Sequence, residues 1–252
     1  MGIIIKSDNE IAIMREAGKI VAEVLRTISR QVEPGITTME MDAIAERELK
    51  KLGATSSFNG YRGFPANLCA SINDEIVHGI PGDRKLNDGD IVSIDFGVIY
   101  NGFQGDAAVT VPVGEISPEA NRLIDSTREA LDKGIAEARA GATLGDVLAA
   151  IQRHAEEKNY SVVREYTGHG IGRDMHEDPQ IPNYGMRGTG PVLKKGMTLA
   201  LEPMLNIGGS GTRVAKDRWT VLTADGSLSA HFEHTIAITE NEPEVLTRGI
   251  YG

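Results

Sequence analysis

The 252-residue sequence predicts an α+β fold, with helices on one face of a curved, mostly antiparallel sheet, assembled from two pseudo-symmetric halves. An internal repeat carries the first part of this. Residues 86–95 (LNDGDIVSID) and 193–202 (LKKGMTLALE) each run Leu, two polar residues, Gly and an alternating apolar stretch that ends on a carboxylate, and they lie 107 positions apart. Upstream, 34–43 and 140–149 match at an offset of 106, with Gly35 answering Gly141, Thr37 answering Thr143 and Glu40 answering Asp146. The second observation is a change of hydrophobic period from helical to two after each of two helix pairs. The two repeated carboxylates, Asp95 and Glu202, are then expected to face each other across the seam.

Each helix announces its start. Ser7 with Glu10, Thr37 with Glu40 and Thr143 with Asp146 give the hydroxyl-x-x-acid pattern in which the two side chains satisfy free backbone N–H groups. Ser117 before Pro118 is an N-cap with proline at the first helical position. Over 8–30, Ile11, Met14, Ala17, Val21, Leu25 and Ile28 form one buried stripe, and over 38–52 Met41, Ile44, Ala45, Leu49 and Leu52 form another, closed by Gly53. Helices near 118–139 and 144–158 repeat the arrangement. After each pair come strands: 91–100 alternates, Asn101-Gly102 is a two-residue hairpin turn, and the chain returns from 103. A second hairpin is expected from 219–223, a turn around Asp225-Gly226, and 229–239. The chain reads as a single domain over 1–252, with repeats at approximately 8–113 and 117–240.

Composition excludes several classes. The net charge of −10 opposes a nucleic-acid footprint, which needs clustered Lys and Arg. The one cysteine, Cys69, permits no intramolecular disulfide and fits a reducing compartment. No apolar run approaches the ~20 residues of a membrane span, and the start has no apolar core of a signal peptide. The reading is cytoplasmic.

Chemistry concentrates in five places. If Asn101 and Gly102 are the turn, Asp95 faces Ala108 and Asp106 faces Gly97, so the two aspartates are diagonal neighbours on one face, roughly 7–8 Å apart at Cα. Two such carboxylates repel unless a cation or a proton lies between them. His169 stands between two glycines, Glu202 ends an apolar strand before Pro203, and Glu233 lies between Phe232 and His234 in the expected strand. Carboxylates with histidine suit Mn²⁺, Fe²⁺, Co²⁺ or Zn²⁺. Four carboxylates suit two ions ~3.5–4 Å apart better than a single catalytic zinc.

These motifs, HGIP at 78–81, SIDFG…GFQGDAA at 93–108, GHGIG at 168–172, Glu-Pro-Met at 202–204 and FEHT at 232–235, resemble those of the type I methionine aminopeptidases over essentially the whole chain. The resemblance implies the pita-bread fold and the removal of initiator methionine from new polypeptides whose second residue is small. It implies two divalent ions per chain, drawn from cobalt, manganese, iron, zinc or nickel. Asp95 would chelate one ion, His169 and Glu202 the other, and Asp106 and Glu233 would bridge. His78 and His176 match the family's substrate-contacting histidines, with catalytic roles, and Glu202 would also accept a proton. The implied partners are N-termini of nascent polypeptides, with transient ribosome contact admitted and the protein a monomer.

For the methionine side chain, Phe58, Tyr61, Phe64, Cys69, Met175 and Trp219 offer an aromatic and sulfur-bearing wall, favourable to a thioether. Arg62 stands where many relatives are expected to carry histidine. His231 shares the expected face of Glu233 and is a candidate to stand behind the ligands, whereas His234 alternates away. His154 reads as a solvated or capping residue, and Lys50-Lys51 and Lys194-Lys195 as solvated surface. Two rivals are a proline dipeptidase or aminopeptidase P, which shares the ligands, and a non-catalytic scaffold of the same fold, which would lose them.

Overall fold

Four helices form where their caps predict. In α1 (Asp8–Ser29) the Ser7 N–H donates to Glu10 Oε2 at 2.9 Å, and in α2 (Thr38–Leu52) the Thr37 N–H donates to Glu40 Oε2 at 2.8 Å. Gly53 ends α2 in the left-handed region at φ 67°. Ser117 Oγ accepts from the Ala120 N–H at the start of α3 (Pro118–Glu137), and the Thr143 N–H donates to Asp146 Oδ2 at the start of α4 (Leu144–Glu157). The computed structural model describes residues 2–250, so Met1, Tyr251 and Gly252 of the expected 1–252 domain lie outside the described residues.

The strands of the first half are β1 (Thr55–Ser56), β2 (Cys69–Ile72), β3 (Glu75–Val77), β4 (Ile91–Tyr100) and β5 (Phe103–Pro112). Those of the second are β6 (Ser161–Val162), β7 (Gly168–Gly170), β8 (Glu177–Ile181), β9 (Thr198–Leu201), β10 (Met204–Asn206), β11 (Thr212–Val214), β12 (Val221–Thr223), β13 (Ser229–His231), β14 (His234–Ala237) and β15 (Glu244–Val245). All the strand pairs are antiparallel among the described residues. β4 carries β5 on one edge and β2 and β1 on the other, and a second sheet runs β15-β14-β9-β7-β8. The helices cover these sheets, and residues from all four join one apolar core with Phe96 and Phe232. α1 approaches β5 so closely that a Cβ on Gly105 would lie 3.1 Å from the Ala17 carbonyl carbon.

Backbone bonds recur at the offset of the sequence repeat. The Gly35 N–H donates to Leu86 O at 2.8 Å, and the Gly141 N–H to Leu193 O at 2.9 Å. The Leu86 N–H donates to Ile36 O, and the Leu193 N–H to Ala142 O. Between the two sheets β5 is laced to residues 231–235: the Glu233 N–H donates to Ala108 O at 2.9 Å, and Thr235 Oγ1 donates to Asp106 O at 2.7 Å.

Three expectations are corrected. Residues 219–239 do not form a second hairpin; β12 pairs with β11 and β3, and β13 pairs with β10. The turn at Asp225-Gly226 exists, but the Asp225 carboxylate accepts from the Gly209 N–H at 2.7 Å and Leu228 O from the Ile207 N–H at 3.0 Å. Those bonds draw the outgoing chain away from β12. Glu233 is not inside a strand, because the ladder breaks at Phe232–Glu233 between β13 and β14. His154 is buried rather than solvated, with Nε2 3.2 Å from Glu129 Oε2. It falls three residues after Ile151 and seven after Val147, on the stripe that α4 turns toward α3.

Candidate active site

The hairpin register places the first two carboxylates. Asp95 pairs with Ala108 and Gly97 with Asp106, so both side chains project from one face of β4–β5. A Cβ on Gly97 would stand 3.2 Å from Asp106 Oδ1 and 3.0 Å from the Phe58 ring, so glycine keeps that face open for the carboxylate.

The other sheet supplies His169 and Glu202. His169 pairs with Ala200 on β9, which puts Glu202, two residues on, over the same face, with Oε1 3.7 Å from His169 Nε2. A Cβ on Gly168 would meet Ala200 O at 2.4 Å, so only glycine lets β7 lie this close to β9. His169 Nδ1 is 2.9 Å from Gly170 O. A carbonyl oxygen only accepts, so Nδ1 carries the hydrogen and the Nε2 lone pair faces the cluster. Glu233, at the break between β13 and β14, is fixed by its backbone bond to Ala108 and completes the group. Ligating atoms of Asp106, His169 and Glu233 all lie within 4.8 Å of one another.

The electrostatics of this cluster favour protons or cations on its oxygens. Burial raises the pKa of Asp95 to about 7 and pushes Asp106, Glu202 and Glu233 well above the ordinary carboxylate range, with the neighbouring carboxylates adding to the rise in the last three. Among the described residues no Lys or Arg forms an ion pair with any of the four. Asp95 Oδ1, Asp106 Oδ1 and Glu233 Oε1 are buried without a hydrogen-bonding protein partner. Orphaned buried carboxylate oxygens are costly. Hard divalent ions match this donor set, and the residues present fit them.

All five residues line one cavity of about 320 Å³. His78 and His176 line it too. His78 is held at φ 60°, a conformation disfavoured for a residue with a Cβ, and burial lowers its pKa to about 4. Its ring meets those of Tyr166 and Trp219 edge-on. His176 Nδ1 is 2.8 Å from the Tyr61 hydroxyl, and its ring stands 4.3 Å from that of His169. Burial and the Arg62 charge lower its pKa. The far wall is the apolar group of Phe58, Phe64, Cys69 and Met175, with Tyr61 and Trp219 against it. Burial pushes the Cys69 thiol well up, so it stays protonated and serves as wall. Arg62 is exposed at the mouth, its guanidinium 5.3 Å from the Tyr61 ring centroid.

His231 stands behind the carboxylates, with Nε2 3.8 Å from Glu202 Oε2 and 4.0 Å from Glu233 Oε2. His234 points elsewhere and bonds Thr247 Oγ1 at 2.7 Å. Sequence reasoning missed Glu165, Tyr166 and Thr167, which line the cavity just before the GHG motif. Their only signal is proximity in sequence to His169.

Comparisons agree with this geometry. Methionine aminopeptidase 1 of Bacillus subtilis is 54% identical over 98% of this chain and 99% of its own length. The crystal structure of the methionine aminopeptidase from Rickettsia prowazekii superposes with a TM-score of 0.96 at 46% identity, covering 98% of this chain and all of that one. An Xaa-Pro dipeptidase from Bacillus anthracis is more distant, at a TM-score of 0.78 and 27% identity, and 97% of this chain spans 62% of it. Residues 12–240 match the description "Metallopeptidase family M24". With four carboxylates and a histidine gathered in one cavity against an apolar wall, and with these likenesses along nearly its full length, the chain belongs to metallopeptidase family M24, among the methionine aminopeptidases.

Proposed function

We propose that this protein removes the N-terminal initiator methionine from nascent polypeptides whose second residue is small, using two divalent ions. The observation that carries this reading is the single cavity in which orphaned carboxylates meet an aromatic and sulfur-bearing wall. Asp95 would hold one ion, His169 and Glu202 the other, and Asp106 and Glu233 would bridge. When bound, such ions supply positive charge that activates a water and polarises the scissile carbonyl at neutral pH.

The chain's own groups do the rest. Phe64, Cys69, Trp219 and the Tyr61 ring take the methionine side chain and exclude water from it. Glu202 accepts the proton of the attacking water. The Tyr61 hydroxyl donates to His176 Nδ1, which leaves Nε2–H of His176 to donate to the oxyanion as charge develops. His78, preset by its left-handed backbone, donates to the substrate's backbone. A free α-amine has a lone pair that one of the ions could take as a ligand, which would account for cleavage only at chain ends.

We take residues 1–252 as one catalytic domain made of repeats at roughly 8–113 and 117–240, a reading supported by the recurring backbone bonds. We read the enzyme as cytoplasmic, in keeping with its single cysteine, and as a monomer, with transient ribosome contact admitted. No helix among the described residues is long and apolar enough to cross a membrane.

Stripping the protein of metal and restoring cobalt, manganese, iron, zinc or nickel singly, with Met-Gly-Met and an Xaa-Pro dipeptide as substrates, tests the proposal. The expected result is metal-dependent release of methionine, saturating at two ions per chain. Cleavage of the Xaa-Pro dipeptide alone would overturn the methionine assignment, and an absence of metal binding would make the protein a scaffold.

A further inference from the structure

One buried ion pair lies outside the ligand cluster. Lys6, just before α1, sends its Nζ to the Glu177 carboxylate, and both side chains are almost wholly buried, at 3% and 4% exposure. The partners are 171 residues apart in sequence. A charge pair this far from water is costly to assemble.

Glu177 is the residue after His176. The chain leaves β7 at Gly170, loops through 171–176, and re-enters the sheet where Glu177 pairs with Gly170. The Glu177 carboxylate turns back into that loop: Oε1 accepts from the Arg173 N–H at 2.9 Å and the Asp174 N–H at 3.3 Å, while Oε2 takes Lys6. Lys6 is itself anchored, its backbone N–H donating to Gly196 O at 2.8 Å and its Nζ to Ile4 O at 3.2 Å. A Cβ on Gly172 would lie 2.4 Å from both Glu177 Oε1 and Lys6 Cε, so glycine is what admits the pair beneath the loop. The last residue of that loop is His176, whose ring must reach Tyr61 on one side and His169 on the other.

We infer that the Lys6–Glu177 pair is a positioning device that ties the segment before α1 to the 171–176 loop and thereby sets the His176 imidazole. Lys6 touches neither cavity nor cluster and acts through Glu177. The inference rests on the catalytic role of His176 proposed above, yet its geometric content is independent of the reaction.

The test uses the metal-loaded full chain in five forms: wild type, Lys6→Met with Glu177→Gln, Lys6→Arg, His176→Ala, and the triple variant. The paired neutral substitutions leave no uncompensated charge, and the amide oxygen that Glu177→Gln introduces still accepts from the loop N–H groups, so the fold is kept. Expected are a kcat for Met-Gly-Met lowered at least tenfold with KM within threefold, metal occupancy unchanged, and most activity retained by Lys6→Arg. In the His176→Ala background the paired substitutions should lower kcat no further, since the device would have nothing left to position. Nitrogen-15 NMR of the histidines should show the His176 Nδ1 signal leaving its Tyr61-bonded position in the double variant. An unchanged signal, or a kcat loss that multiplies with that of His176→Ala, overturns the positioning role. A wild type inert toward methionyl peptides whose His176 signal still shifts in the double variant overturns the proposed reaction and leaves the positioning intact.

Discussion

At the scale of single residues, the bond between Tyr61 and His176 changes what the pocket wall is for. Tyr61 stands against the apolar wall, and its hydroxyl lies 2.8 Å from His176 Nδ1; in the proposed reaction the ring takes methionine and the hydroxyl donates to Nδ1, leaving the His176 proton on Nε2. His176→Ala should lower kcat and kcat/KM together, by the ~10²–10³ typical of losing one oxyanion donor. Tyr61→Phe keeps the ring and removes only the hydroxyl, so it should lower kcat by about tenfold with KM unchanged, whereas Tyr61→Ala should also raise KM. Steady-state kinetics on Met-Gly-Met separates them, and an unaffected Tyr61→Phe enzyme would restrict Tyr61 to apolar contact. Glu233→Ala probes the cluster instead. If Glu233 bridges two ions as proposed, its removal leaves less negative charge between them, so calorimetry should find one high-affinity ion per chain and activity lost.

At the scale of elements, the decisive contact is the lacing of β5 to residues 231–235. Thr235 Oγ1 receives the Asp106 N–H at 3.0 Å and donates to Asp106 O at 2.7 Å, so one hydroxyl fixes the backbone of a site aspartate from the opposite half. Thr235→Val is nearly isosteric and leaves a buried N–H and C=O unpaired, each worth ~1–3 kcal/mol. Chemical denaturation should show a loss of about 2–6 kcal/mol for the two together, and cation affinity should fall with it because Asp106 is released. Native affinity would separate the lacing from the site. The β4–β5 register behind this geometry is legible in the sequence because Asn101-Gly102 admits one tight turn, at φ 48° and 78°, and every pairing follows from it. The helix starts are legible for the same local reason, since each cap is closed within three residues. The path after β12 is not legible. An Asp-Gly turn looks alike whether the chain returns or departs, and the bonds that decide it come from Gly209 and Ile207 on another segment. The acidic neighbours of His154 in sequence suggest solvent, but its position on the α4 stripe governs burial. Of the candidate site, the motifs single out the five residues that gather at the cavity, whereas Glu165, Tyr166 and Thr167 enter only through the folding of their loop against it.

At the scale of the whole molecule, the buried cluster makes stability depend jointly on pH and metal. In the metal-free fold the four carboxylates hold protons that the unfolded chain would release, Asp95 from 3.8 up to about 7. A raised folded pKa gives stability that is complete below the unfolded value and lost as pH rises through the folded one. The buried histidines act oppositely. Burial lowers His78 and His234 to about 4 and His169 and His231 to about 3, so their stability is lost as pH falls from 6.5 toward those values. Between about pH 4 and 6.5 the two sets offset each other. Above that window the histidines are neutral in both states and only the carboxylates still titrate, so the metal-free protein should become less stable from pH 6.5 to 8. Divalent cations reverse this, because each replaces protons on the same oxygens and binds the folded state alone. At a hundredfold excess over its Kd, one site adds ~2.7 kcal/mol, and each kcal/mol moves Tm by roughly 2–4 °C in a domain of this size. Thermal melts with and without manganese at pH 6 and pH 8 should therefore give a larger metal-induced rise at pH 8, with the metal-free Tm lower there. Equal rises at the two pH values would mean that the carboxylates are already ionised without metal, and that the cluster is balanced by something other than the cations it is proposed to hold.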